Sequence, residues 1–469
     1  MTKIIFIMSM CSLLLVSGIA ADADGSTAKE PNIRFGVVSD IHVTTFESAA
    51  TFRRALRYYR EHDVDAVMIC GDLSDFGVLC NLENVAKSWY EVFPGDRGKN
   101  EKHVEKLFIY GNHDVEPAEY GIGHVKLARS LILCPGYRAD EVRLQRLDQY
   151  GLGKAWEECF HETFQPIYHK KVCGYDFIGA HWDTQACVRG LEEWFATHGK
   201  ELAPDRPFFY FQHPHPKDTV YSYGPFTHDN GTSTRVLSAY PNAVAFSGHS
   251  HMSVTDERSL WQGAFTSIGA STLVYRGSAE PAKLIENTYS VVDPTEPARQ
   301  GLLVSVYDDF IIIDRWDFAH DEPVDESWRL PLPAKPKSLM DRKAQSLAPK
   351  FEKGSAVVVG FPGKQGADGF VRFPPAVAEM DARPHDYAIT IEHRIDDEIL
   401  SCHMFRAYGP TVVLPKKHDR DVSRVTIKVP SAYWPHYDIG QVRLSVVPNN
   451  SLGKSGMAIT SGWIPVPKM

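Results

Sequence analysis

Five short clusters in this sequence carry side chains suited to chemistry. They are Asp40-Ile41-His42, Gly71-Asp72, Gly111-Asn112-His113-Asp114, His213-Pro214-His215 and Gly248-His249-Ser250-His251. Carboxylates, imidazoles and one amide oxygen form a hard-to-borderline donor set with no thiolate in it. Such a set suits Mn²⁺, Fe²⁺ or Fe³⁺, Zn²⁺, Co²⁺ or Ni²⁺ rather than copper(I) or a structural cysteine–zinc site. Asp40, His42, Asp72, Asn112, His213, His249 and His251 are too many donors for one ion. They suit two ions about 3.5–4 Å apart that share one carboxylate and a hydroxide. Asp72 lies on the strand between the other clusters and is the natural shared carboxylate. His249 and His251 alternate in an extended segment and so project to one side. His113 can carry or release a proton near neutral pH, and Asp114 could hold that imidazole in one tautomer. Taken singly, Asp-x-His after a strand is common and Gly-Asp is mostly a turn. The weight lies in the joint occurrence, in order, each directly after an apolar run.

Those runs read as buried strands: Ile33–Ser39, Ala66–Cys70, Lys106–Tyr110, Phe208–Gln212 and Ala243–Phe246. Helical spacing marks Glu47–His62 and Leu79–Phe93 between the first three, and Gly190–Leu202 further on. Val172–His181 is expected as one further strand, and Leu302–Tyr307 with Ile311–Trp316 as a hairpin around Asp308-Asp309. Strand–helix alternation implies an α/β fold with a parallel or mixed sheet, whose ligands gather at the carboxyl ends of the strands. Every cluster sits at such an end. Glu116–Pro166 reads as an insertion of helical character.

Together the motifs resemble the calcineurin-like metallophosphoesterase family over about Ile33–Phe318. The resemblance implies a four-layer α/β/β/α sandwich, a dinuclear metal centre and phosphoester hydrolysis by a metal-bridging hydroxide. It implies Asp40, His42 and His251 around one ion, Asn112, His213 and His249 around the other, and Asp72 between them. His213 is preferred over His215 because it directly follows its strand, as the family's ligand does; His215 is the alternative. His113 matches the family's non-ligand histidine beside the leaving group, with Asp114 next to it. The purple acid phosphatases of this superfamily carry a tyrosine ligand three residues after the Gly-Asp aspartate. Asp75 stands there in this chain, so the tyrosine–iron site is not expected. The cofactors are then two divalent or mixed-valence ions, with Mn, Fe or Zn foremost.

The 469 residues, with 43% hydrophobic and 23% charged content, suggest a soluble globular protein of two or three domains. A net charge of −9 favours neither nucleic acid nor an anionic membrane surface as partner. Ile4–Val16 is almost wholly apolar, and Ser17-Gly18-Ile19-Ala20 supplies small residues for a signal peptidase. Residues 1–20 are expected as a cleaved signal peptide, which makes the protein secreted or periplasmic, and no later segment reads as a bilayer span. Residues 21–32 are a leader, 33–330 the phosphoesterase domain and 331–337 a proline-rich linker. Residues 338–469 read as a small antiparallel β-sandwich without a convincing helix. Within it, Val442–Val447 with Asn449–Gly456 resembles the end of a fibronectin type III module. Eight cysteines in an exported chain permit disulfides, but their spacing commits to none.

Without a Lys/Arg cluster to suggest a polyphosphate, the expected substrate is a small-molecule phosphomonoester or phosphodiester. Trp182, Tyr221, Tyr223 and Phe226 lie near strand ends, where aromatics either stack on a base or sugar or simply pack a loop. The rival reading is a non-catalytic envelope protein that binds through its C-terminal sandwich and keeps a structural metal site.

Overall fold

The computed structural model describes residues 29–116, 145–183, 190–222, 227–274, 299–362, 367–377, 383–429, 431–434 and 440–467. The expected signal peptide, most of the leader, and Tyr223 and Phe226 lie outside these residues. No helix among the described residues is long and apolar enough to cross a membrane.

The chain begins with β1 (Ile33–Val38), α1 (Ala50–Glu61), β2 (Ala66–Cys70), α2 (Leu79–Val92) and β3 (Glu105–Ile109). The three strands are parallel neighbours, with Phe35 opposite Ala66 and Ala66 opposite Glu105. Later come α3 (Leu152–Phe160), β4 (Ile167–Val172), β5 (Tyr175–Ala180), α4 (Leu191–His198), β6 (Phe208–Phe211), α5 (Thr232–Leu237), β7 (Ala243–Ser247), β8 (Leu260–Gln262) and β9 (Thr266–Gly269). The strand expected over Val172–His181 is β5, shorter at its start because the chain enters it through a tight turn from β4. Cys173 and Gly174 both take positive φ, 48° and 80°, and turn the chain back. Then follow β10 (Gln300–Val306), β11 (Phe310–Asp317), β12 (Glu322–Pro323) and β13 (Trp328–Pro331).

Two sheets result. One runs β12-β11-β10-β1-β2-β3 with β13 also on β11, and the other runs β4-β5-β6-β7-β9-β8. Both are buried on two faces, so their central strands are apolar throughout rather than alternating. Between the sheets Phe35 meets Phe177, Phe209 and Phe246 edge-on at centroid distances of 5.2, 4.8 and 5.9 Å. Edge-to-face pairs of this kind add about 0.5–1.5 kcal/mol each beyond area burial. Helices α1, α2 and α3 cover the outer face of the first sheet, and α4 and α5 that of the second. This is the α/β/β/α order. The carboxyl ends of β1, β2, β3, β6 and β7 carry the polar clusters.

The C-terminal part is all-β apart from α6 (Leu339–Gln345), which the sequence reading missed. Ser338 and Asp341 close a capping box at its start. The strands β14 (Val358–Gly360), β15 (Gly369–Phe373), β16 (Asp386–Ile395), β17 (Glu398–Tyr408), β18 (Val425–Val429), β19 (Gln441–Asn449), β20 (Ile459–Thr460) and β21 (Ile464–Pro465) form two antiparallel sheets around one core. Among the described residues Cys70, Cys159, Cys173 and Cys402 form no disulfide.

This part is fastened to the segment that follows His251. Gln300 Nε2 donates to the Val413 carbonyl at 2.8 Å, and the Glu257 amide to Ser451 Oγ at 3.1 Å. Tyr408, Val412 and Val413 pack with Tyr221 and Met252. Buried Asp256 is paired with Arg258 at 2.7 Å and with His385 at 3.5 Å, and His385 Nδ1 lies 2.9 Å from Asp386. Burial opposes charge on His385, yet the two carboxylates flanking it raise its pKa above the usual value. Burial likewise opposes charge on Asp256, which Arg258 and His385 nevertheless hold well below the carboxylate range. A raised histidine stabilises fully below its unfolded pKa of about 6.5, and that stability is lost as pH rises through the folded value. A lowered aspartate contributes above about 3.9 and fails as pH falls. The melting-temperature difference between wild type and His385→Gln, measured by calorimetry against pH, should therefore be largest between about pH 4 and 6.5 and shrink at higher pH.

Candidate metal centre

Two overlapping donor groups share Asp72 at the strand ends, and a third, His42 with Asp75 and His113, adjoins them through His42. Asp40, His42, Asp72 and His251 bring one ligand atom each to within 4.8 Å of one another, and so do Asp72, His213 and His249. Asp72 is common to both. His251 Nε2 is 3.0 Å from Asp40 Oδ1 and 3.2 Å from His42 Nε2, and His42 Nε2 is 3.5 Å from Asp72 Oδ2. On the other side His213 Nε2 is 3.2 Å from Asp72 Oδ2.

The backbone is strained to achieve this. Asp40, His42, Asp72, His249 and His251 all take positive φ, between 41° and 66°. Non-glycine residues held there cost of order 1–3 kcal/mol each and persist only where the surroundings over-determine them. Glycines make the close approach possible. A Cβ at Gly248 would overlap Ser39 Oγ and Asp40 Oδ2, and one at Gly111 would overlap Asp72 Oδ1. Amides complete the cradle: His249 N–H donates to Asp40 Oδ2 at 3.0 Å, and His113 N–H to Asp72 Oδ1 at 3.0 Å.

The ring nitrogens are oriented from behind. His213 Nδ1 lies 2.7 Å from the Cys70 carbonyl, so it carries the proton and Nε2 presents its lone pair. That Nε2 is buried with no hydrogen-bond partner, and so is Asn112 Oδ1. Orphaned polar atoms cost about 1–3 kcal/mol each, and a cation held between them removes that cost. Electrostatics ask for the same thing. Burial opposes charge on Asp72 and Asp40, yet the surrounding histidines, His213 and His251 foremost, hold both below the carboxylate range. The same two carboxylates push His213 up to about 9 against its burial. His249 goes the other way, down to about 3, through burial and the neighbouring His213. Donor types, orphaned atoms and excess negative charge fit two cations of the hard-to-borderline class.

One sequence expectation needs correcting. Asp114 does not orient His113. Its oxygens accept the amides of Gly111, Leu73 and Ser74 at 2.8, 3.1 and 2.8 Å, and the Ser74 hydroxyl as well. Asp114 therefore ties the β2 and β3 strand ends together, and burial next to Asp72 pushes it up to about 6. His113 is instead held by Asp75, whose carbonyl lies 2.9 Å from Nδ1. The Asp75 carboxylate also reaches His42 Nδ1 at 3.1 Å. One residue thus sets the tautomers of both His42 and His113, whose rings meet edge-on at 4.5 Å. The sequence offered Asp75 only as the residue standing where a tyrosine could have been. Removing such a supporting carboxylate typically costs about 10–100-fold in metal affinity. Asp75→Ala should weaken by that factor, in a competitive chelator titration, an ion that His42 would hold, and far less one that His213 would hold.

His215, the alternative to His213, stays out of the cluster. Its nitrogens lie 2.7 Å from Ser247 Oγ and 2.7 Å from Ser250 Oγ, which braces the turn carrying His249 and His251. Trp182 and Tyr221 are packing residues. Trp182 is buried against the His213 and His249 rings at 5.7 and 5.4 Å, and Tyr221 lies under the Arg258 guanidinium at 3.6 Å.

Residues 33–253 match the family model of the calcineurin-like phosphoesterases. Among solved structures, a predicted phosphoesterase of Streptococcus pneumoniae is similar at 12% identity, with 64% of this chain and 97% of that one covered and a TM-score of 0.26. A purple acid phosphatase from yellow lupin seeds is similar at 12% identity, over 64% of this chain and 55% of that one, with a TM-score of 0.39. The protein GAP50 of Plasmodium, described as the anchor in the inner membrane complex, is similar at 14% identity, over 65% and 90%, with a TM-score of 0.36. No curated protein matches the chain.

Proposed function

From a chain whose residues 33–253 are a calcineurin-like phosphoesterase domain, we infer a secreted or periplasmic enzyme that hydrolyses small-molecule phosphomonoesters or phosphodiesters with two bound metal ions. One observation carries the reading: Asp72 is common to both donor groups, with Asn112 Oδ1 and His213 Nε2 buried beside it and in no hydrogen bond among the described residues. Asp40, His42 and His251 would hold one ion, Asn112, His213 and His249 the other, and Asp72 both. Bound ions of this kind neutralise phosphoryl oxygens and bring a water's pKa from 15.7 towards about 7.

The chain's own part is positioning and proton transfer. The strained strand ends fix the donors before substrate arrives, so little reorganisation remains for the reaction itself. His113 stands beside the cluster with Nδ1 committed to the Asp75 carbonyl. Its Nε2 is then the nitrogen that hydrogen-bonds or protonates the leaving oxygen, worth about 10²–10⁴-fold in rate. Export is supported by the apolar run Ile4–Val16 and the small residues Ser17–Ala20. A small substrate is supported by the lack of a Lys/Arg cluster in the sequence.

Hydrolysis of nitrophenyl phosphate against bis-nitrophenyl phosphate, with Mn²⁺, Zn²⁺ and Fe²⁺ supplied in turn, tests the reading and sorts monoesterase from diesterase. Turnover with at least one ion is expected. Silence on both substrates and on a broader phosphoester panel would overturn the proposal.

A further inference from the structure

Strands β3 and β4 are the end strands of the two large sheets. A cleft of about 310 Å³ opens beside them, lined by Trp156, Tyr168, His181, Gln165, Glu105 and Lys170 among others. No residue of the donor cluster lines it. Its innermost polar group is His181, which is 4% exposed. The Tyr110 amide donates to His181 Nδ1 at 3.0 Å, so the ring proton sits on Nε2. That Nε2 is buried and has no acceptor among the described residues. Burial, with the charge of Lys170 adding to it, pushes this imidazole down to about 3, so it stays neutral. A buried N–H left without a partner costs about 1–3 kcal/mol.

The surroundings say what kind of acceptor would fit. Trp156 stands edge-on to the His181 ring at 4.7 Å, Phe164 is tilted at 4.7 Å and Tyr168 at 5.8 Å. The His181 ring is therefore flanked by aromatic rings, of which Trp156 and Tyr168 line the cleft, while Glu162, Thr163 and His169 make other parts of the lining polar. The charges nearby close on themselves. Lys170 Nζ donates to Glu105 at 2.8 Å, to the Lys106 carbonyl at 2.7 Å and to Glu162 at 2.9 Å, and Lys106 Nζ is 3.6 Å from Glu162. With Asp96 also 2.6 Å from Lys106 Nζ, three carboxylates hold both ammonium groups, which leaves no cation to call for an anionic ligand. Small-molecule pockets are commonly of about 300–1,000 Å³, mostly apolar, with a few placed polar groups.

We propose that this cleft binds a small, neutral, planar heteroaromatic molecule, whose ring nitrogen or carbonyl oxygen accepts the His181 Nε2–H while its ring packs against Trp156 and Tyr168. The site is distinct from the metal centre and independent of the reaction carried out there.

Adenine and nicotinamide are suitable probes, with benzene as a ring that lacks an acceptor. Each is titrated by calorimetry into the full-length, metal-loaded protein under saturating inorganic phosphate, which keeps the metal centre occupied. At least one acceptor-bearing probe should bind one per chain. His181→Phe keeps a ring and removes the donor; it should weaken that probe at least about tenfold and leave benzene unchanged. Because this variant also deprives the Tyr110 amide of its acceptor, Gln165→Trp provides a second arm. Gln165 is exposed at the rim, and the larger ring should block entry and abolish binding of every probe. No binding of adenine or nicotinamide at millimolar concentration, or binding unchanged in both variants, would overturn the proposal: His181 would then be satisfied by water only.

Discussion

Asp72→Asn should release both ions and lower kcat/KM on nitrophenyl esters by at least about 10³-fold, the rate equivalent of the several kcal/mol that metal-ion catalysis supplies. The substitution is nearly isosteric, and the His113 amide keeps an oxygen to donate to, so folding should survive. What disappears is the one negative charge common to both donor groups, which burial already disfavours and the surrounding histidines sustain. Two readouts separate this from simple unfolding. The variant should melt at a temperature close to that of the metal-free wild type. Wild type should gain stability on adding Mn²⁺, about 2.7 kcal/mol at a hundredfold excess over Kd, and the variant should gain almost none. His251→Ala is the contrast, since His251 belongs to one donor group alone, and metal analysis should find a single ion retained. Two ions still tightly bound in Asp72→Asn would make the shared assignment wrong.

His113→Ala is expected to keep both ions and lose turnover. Its Nδ1 is tied to the Asp75 carbonyl, which leaves Nε2 as the nitrogen proposed to serve the leaving oxygen. A loss of about 10²–10⁴-fold in kcat is expected on alkyl phosphoesters, whose leaving oxygen needs a proton. Nitrophenolate leaves readily without one, so the loss on nitrophenyl esters should be much smaller. The dependence of log kcat on leaving-group pKa should steepen in the variant. Equal activity of wild type and variant on an alkyl ester would remove His113 from the chemistry, and loss of metal would make it a structural residue instead.

Much of the site is legible in the sequence. A buried parallel strand is a short apolar run, and polar residues directly after it must lie at its carboxyl end; hence Asp40, Asp72, Asn112, His213 and His249 could be located without knowing the path between them. The supporting layer was less legible, because hydrogen bonds between strand ends leave no spacing in the sequence. Asp75 and Asp114 are both acids just beyond a Gly-containing motif. Only the fold shows that Asp75 faces two imidazoles while Asp114 faces three amides. The β4–β5 turn was missed because Cys173 holds a left-handed backbone usually given to Gly, Asn or Asp. Helix α6 is short, yet Ser338 and Asp341 at capping-box spacing were a usable signal. Nothing in the sequence marks His181, whose significance depends on which of its nitrogens the Tyr110 amide occupies.

The central claim, phosphoester hydrolysis at a two-ion site, is tested most directly by counting metal and turnover on the same sample. Full-length protein reconstituted with Mn²⁺ is analysed by inductively coupled plasma mass spectrometry and assayed on bis-nitrophenyl and nitrophenyl phosphate, before and after chelation and metal return. The prediction is about two ions per chain, with turnover that vanishes on chelation and comes back as the second ion is restored. Turnover that survives complete removal of metal, or two ions bound with no hydrolysis of any phosphoester, would contradict it.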